Sequence, residues 1–228
     1  MTGEPDGVTT LAVSGSNVSG DVPFSAALRL AHGAVDVRRS PAGGRGDLAR
    51  LCAELCRDHG VRPEDIRRVL VDVGPGSYTG LRVAVTFVRF LQAFGPVAGD
   101  PLEVGRIDSL AMMAQLAAER GRTGRVRALL DARRGCLHTA LYDSDGARLV
   151  ECEPPAAVAT AAVLAATGPR EVIVLPAALA GQLPALGDRH ELLVARDVTA
   201  AWLLRAPCTR AGAADLEPRY LMASYAES

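Results

Sequence analysis

The chain has no lysine: all 25 of its basic residues are arginine. That absence removes any mechanism built on a Schiff-base lysine or on the lysine of a phosphate-binding loop. An excess of charge of either sign is also missing. A formal net charge of −1 and a pI near 6.4 give no global electrostatic attraction to nucleic acid or to an anionic membrane, since such binding draws on clustered positive charge. The five cysteines are odd in number and include no CxxC pair, which argues against a disulfide framework and a cysteine-based zinc site. Cys52 and Cys56 stand four apart, the spacing of two small side chains on one helical face. No apolar run approaches the roughly 20 residues of a membrane-spanning helix, and Met1–Thr10 lacks the basic and apolar regions of a secretory signal. These absences lead us to expect a cytoplasmic location and no membrane contact.

What is present suffices for a substantial core, with 49% hydrophobic residues in 228. Val8–Val13, Phe24–Leu30 and Ala34–Arg39 read as strands, and a Pro/Gly breaker at 40–46 follows. Leu48, Leu51, Cys52 and Leu55 then recur at helical spacing behind Asp47, a fitting N-cap. Arg68–Val73 reads as a buried strand that feeds the turn GPGSYTG at 74–80, and Leu81, Val85, Val88 and Leu91 mark a helix to Phe94. After an irregular crossing, the spacing predicts a helix over 109–120. Strands at 125–131, 136–142 and 147–152, a helix at 156–166, a strand at 171–175 and a helix at 198–205 follow. Both halves thus read βββαβα, a duplication that fits a two-lobed α/β protein of the actin/sugar kinase/Hsp70 (RNase H-like) type. The expected division is 8–104 with 207–228 in the first lobe, 105–206 in the second, and residues 1–7 as a flexible leader.

The sharpest local signal is the glycine turn: Gly74, Pro75, Gly76, Ser77, Thr79 and Gly80 between a strand and a helix start. It supports two readings. Backbone N–H groups unobstructed by Cβ atoms can cradle a phosphate; equally, the glycines can serve a sharp turn and a close helix–sheet approach. The loop is neither GxGxxG nor GxxxxGK[ST], so spacing leaves both open.

GPGSYTGLRVAVTFVRFLQAFG at 74–95 closely resembles the loop and helix of the TsaB (YeaZ) family. IDSLAMMA at 107–114, DARRGCLHTALYD at 131–143 and EPRYLM at 217–222 are similar to further motifs of that family, in the same order. The resemblance implies an accessory subunit in tRNA threonylcarbamoyladenosine synthesis, without catalytic residues or metal of its own. It would support a homologous TsaD-type subunit that transfers threonylcarbamoyl to the adenosine beside the anticodon. It also implies a TsaE-type ATPase as a partner, only indirect contact with tRNA, and self-association as a homodimer when the partner is absent. The partner contact would fall on the first-lobe helices, through Leu48, Leu51, Cys52, Leu55, Leu81, Arg82, Ala84, Val85, Val88 and Leu91. Arg133 and Arg134 are candidate polar contacts. No cofactor is required, although weak ATP or ADP binding at the glycine turn is compatible with the resemblance.

The chain departs from that pattern at Ser14, where relatives and ATP-using members of the fold carry aspartate, and at Gly44-Arg45, where His-Ser is usual. A hydroxyl cannot hold Mg²⁺-bound water as a carboxylate does. The four histidines, at 32, 59, 138 and 190, contain no HxxxH pair. The alternative is an enzyme of the same fold, a metal-dependent peptidase or a stand-alone ATPase.

Overall fold

The computed structural model describes residues 7–18, 20, 22–41, 46–94, 101–212 and 214–222. The leader and the Gly44-Arg45 departure fall outside these, except for Gly7. β1 (Thr10–Ser14), β2 (Ser25–Arg29) and β3 (Val35–Arg39) form an antiparallel run, followed by α1 (Leu48–Asp58). Asp47 caps α1, its carboxylate accepting the Arg50 N–H at 3.0 Å. β4 (Arg68–Asp72) returns parallel to β1, α2 (Tyr78–Phe94) follows, and β5 (Glu103–Ile107) adds parallel to β4. α3 (Ser109–Glu119), capped by Asp108, crosses to the second lobe.

There the plan repeats. β6 (Thr123–Arg133), β7 (Cys136–Asp145) and β8 (Leu149–Ala159) are antiparallel, α4 (Thr160–Ala166) follows, and β9 (Val172–Pro176) pairs parallel with β6. Two short helices, α5 (Ala177–Gln182) and α6 (Pro184–Gly187), lead to β10 (Glu191–Ala195). A 3-10 turn at Ala200–Leu204 and the two-residue β11 (Thr209–Arg210) bring the chain back to the edge of the first sheet. The sheet orders are β11-β5-β4-β1-β2-β3 and β10-β9-β6-β7-β8. Apart from β11, each lobe arranges its strands as fifth, fourth, first, second, third.

Period-two alternation gives each sheet two apolar faces. In the first, Leu11, Val13, Val69 and Val71 pack under α1 and α2, while Ala12, Ala27 and Leu70 face α3 and the 3-10 turn. In the second, Leu129, Ile173 and Leu175 face α4–α6, and Ala128, Leu130 and Val174 face α3. The order is therefore helices, sheet, α3 with the 3-10 turn, sheet, helices. Alanines at 12 and 27 let the 3-10 turn come close enough for the Ala200 N–H to donate to Ser25 Oγ at 2.9 Å.

Several sequence expectations need correction. The unit is βββαβαβ, because β5 and β10 complete each sheet. β5 runs through the expected boundary at 104/105, pairing with β4 as far as Ile107. The helix expected from 156 starts at Thr160, since Ala156–Ala159 pair with β7. The last expected helix is a five-residue 3-10 turn that packs on the first sheet and α3.

Candidate functional site

Asp72 ends β4 fully buried, and three segments converge on it. Ser14 Oγ at the end of β1 donates to its carboxylate at 3.0 Å, Ser109 Oγ at the start of α3 at 2.6 Å, and the Gly74 N–H at 2.9 Å. Burial pushes its pKa upward, and the hydroxyl and amide donors pull it back. One carboxylate thus ties the glycine turn to the first strand and to the inter-lobe helix. It is walled in, so its role is positioning.

The glycine turn resolves toward close packing. Gly74 has φ +101°, a left-handed conformation that a side chain would strain, and its peptide bond to Pro75 is cis. Gly80 in the first turn of α2 lies against Gly15 after β1, so closely that a Cβ on either would collide with the other's carbonyl oxygen. A Cβ at Gly76 would strike Ser16. The Ser77 N–H donates to the Ser16 carbonyl at 2.8 Å, and Ser77 Oγ accepts the Gly80 N–H at 3.3 Å. Those donors are already engaged at the mouth of the phosphate cradle that the sequence left open. Thr79 and Gly76 are exposed, whereas Gly74, Pro75 and Gly80 are buried.

The expected interface residues divide by burial. Leu48, Cys52, Leu55, Leu81, Ala84, Val85 and Val88 are buried in the first lobe's own core and offer no side chain to another molecule. Cys52 is held there as a small apolar group, burial pushing its thiol up to about 12. Leu51 and Leu91 are half-buried and Arg82 is exposed. The outer face of α2 instead carries Val83, Phe90 and Phe94, with Phe90 60% and Phe94 74% exposed and their rings 4.9 Å apart. At its start Tyr78 stacks on Tyr220 at 4.4 Å, and Arg82 lies over the Tyr78 ring. The sequence carried the signal: Val83, Phe90 and Phe94 recur at helical spacing on a side that the core stripe does not use.

Arg133 and Arg134 form the β6–β7 turn, both with positive φ (64° and 50°) and both exposed. The Asp131 carboxylate accepts the Arg133 N–H at 2.7 Å. Among the described residues no group of three or more His, Cys, Asp or Glu could hold a metal ion, and no helix is long and apolar enough to cross a membrane.

Two lobes of one plan, with the same strand order repeated and packed on a shared helix, define the actin/sugar kinase/Hsp70-like class of α/β proteins. Residues 45–200 match the family model for TsaD, tRNA N6-adenosine threonylcarbamoyltransferase. The tRNA threonylcarbamoyladenosine biosynthesis protein TsaB of Bacillus subtilis is 32% identical over 100 residues, 44% of this chain and 41% of that protein. The matched stretch is therefore less than half the length of that relative. Two solved structures share the fold, each with a TM-score of 0.67 over 94% of this chain and all of the other: YeaZ from Pseudomonas aeruginosa, 20% identical, and a protein described as similar to peptidase YeaZ from Pseudomonas aeruginosa, 21% identical. The chain belongs to this TsaD family and, within it, is a TsaB/YeaZ member.

Proposed function

We propose that this chain is a non-catalytic accessory subunit in tRNA threonylcarbamoyladenosine biosynthesis. It binds a homologous TsaD-type subunit in the cytoplasm and is required for threonylcarbamoyl transfer to the adenosine next to the anticodon. A TsaE-type ATPase is a second partner, tRNA is met indirectly, and self-association through the same helix occupies the surface when the partner is absent.

The observation that carries this reading is the outer face of α2. A helix already buried along one stripe has no internal reason to hold two phenylalanines and a valine toward solvent. The packing of Gly15 against Gly80 and the serine at position 14 support the non-catalytic half of the reading, and any ATP or ADP would bind weakly.

The test is co-purification with the TsaD-type protein of the same cell, followed by size exclusion at micromolar concentration. Wild type should elute as a heterodimer, and Phe90→Asp with Phe94→Asp should abolish it while leaving the circular dichroism spectrum unchanged. Failure of the wild-type chains to associate would sink the proposal. Stoichiometric metal with ATP or peptide turnover by the isolated chain would favour an enzyme instead.

A further inference from the structure

Between the end of β5, the C-terminal segment and strands β7–β8 lies a cavity of about 320 Å³ that plays no part in the reading above. Its walls are apolar at Val73, Ile107, Ala111 and Leu149, and its volume is that of a small-ligand pocket. Tyr142 of β7 lines it. That side chain is only 4% exposed, and its hydroxyl has no hydrogen-bond partner among the described residues. A buried hydroxyl left unpaired costs free energy, so such a group inside a cavity marks the place of a missing polar partner. Asp108, Glu151 and Arg219, all lining the same cavity, act on the hydroxyl electrostatically. Burial first and the two carboxylates next push its pKa upward, which keeps it a neutral hydroxyl with free lone pairs.

The charge around the cavity decides the kind of partner. Arg219 is committed to Asp108 at 3.0 Å, and Arg106 donates to the Asp215 carbonyl at 3.3 Å. Glu151 and Glu217 are exposed at the cavity, and neither has an ion-pair partner among the described residues. Three carboxylates face two guanidinium groups, so the balance of charge at the cavity is negative by one. An anion such as a nucleotide phosphate would meet repulsion here; a cation would meet two free carboxylates and a lone pair.

We infer that this cavity binds a small organic cation, with an ammonium or guanidinium head between Glu151, Glu217 and the Tyr142 hydroxyl, and a short apolar stem along Ile107 and Leu149. The head donates N–H bonds to the carboxylates and to the phenol oxygen. This chemistry is shared by free alkylamines and by the side chain of a lysine or arginine presented on a peptide.

The inference is independent of the partner reading and is tested on the isolated full-length chain. Calorimetric titration with n-butylguanidinium and n-butylammonium should show saturable one-site binding with a Kd of about 1 mM or tighter, and butyrate should show none. Glu151→Gln combined with Glu217→Gln should weaken binding at least about tenfold. Tyr142→Phe, which keeps the ring and its packing, should weaken it about three- to tenfold. A blocked Gly-Arg-Gly tripeptide binding more tightly than n-butylguanidinium assigns the site to a presented side chain; weaker binding assigns it to a free amine. No saturation by either cation up to tens of millimolar, or unchanged affinity in the glutamine and phenylalanine variants, overturns the proposal.

Discussion

Ser14 stands 3.0 Å from a carboxylate shut away from solvent, and the direction of that bond, hydroxyl to Asp72, explains why a serine suits the position. The aspartate usual in ATP-using members of this fold would put a second carboxylate against the first, and two like charges at that range cannot both stay ionised. Ser14→Asp should therefore lower stability by about 3 kcal/mol or more, whereas Ser14→Ala, which removes one donor, should cost about 1 kcal/mol. Urea midpoints of the two variants check the order. Asp108 offers a second test at this scale. Burial raises its pKa from the usual 3.8 to about 6, against the pull of Arg219 and the α3 amides. The folded chain thus holds that proton more tightly than the unfolded chain does. The associated stability is full below pH 3.8 and is lost as pH rises through about 6. Asp108→Asn keeps a capping side chain for α3 but cannot titrate. The stability of wild type relative to this variant should fall by about 2–3 kcal/mol between pH 4 and 7; a flat difference would contradict the shift.

Among the elements, α2 shows what periodicity reveals and what it conceals. The stripe of Leu81, Val85 and Val88 was legible and is buried as core. That same burial disqualifies it as a docking surface. Val88→Asp should unfold the chain, while Phe90→Asp should leave it folded and affect association alone, and thermal melts separate the two. The strand and helix cores of both lobes were legible from alternation and helical spacing, and Asp47 was legible as a cap. β10 was not, because ELLVA at 191–195 is a five-residue, mostly apolar run, too short for periodicity to tell strand from helix. The start of α4 was misplaced because Ala-rich sequence has high helix propensity, yet Ala156–Ala159 extend the β7–β8 ladder. At the glycine turn, spacing could not choose between a phosphate cradle and close packing. The choice depends on Gly15 and Ser16, about sixty residues away in the chain. The cavity at Tyr142 had no local signal, because residues from 73, 106–111, 142–151, 207–209 and 217–219 build it together.

At the scale of the whole molecule, the duplication suggests two domains, but the packing describes one cooperative body. The central core takes Ala12, Ala27 and Leu70 from the first sheet, Ala128, Leu130 and Val174 from the second, and Leu110, Met112 and Met113 from the helix between them. Ala200 and Leu203 of the 3-10 turn sit in the same cluster, and β11 then binds the returning chain to β5. Neither sheet can lose its partner without exposing that layer, and each buried leucine or methionine left in water costs roughly 1.5–3 kcal/mol. The single tryptophan, Trp202, lies in the 3-10 turn against this cluster, beneath the Arg205 guanidinium. Its fluorescence therefore reports the layer between the lobes, while far-ultraviolet circular dichroism reports all the helices and strands. In a urea titration the two signals should trace one transition with one midpoint. A tryptophan transition that precedes the loss of secondary structure would mean that the lobes separate before either unfolds, and that the shared core is weaker than its composition requires.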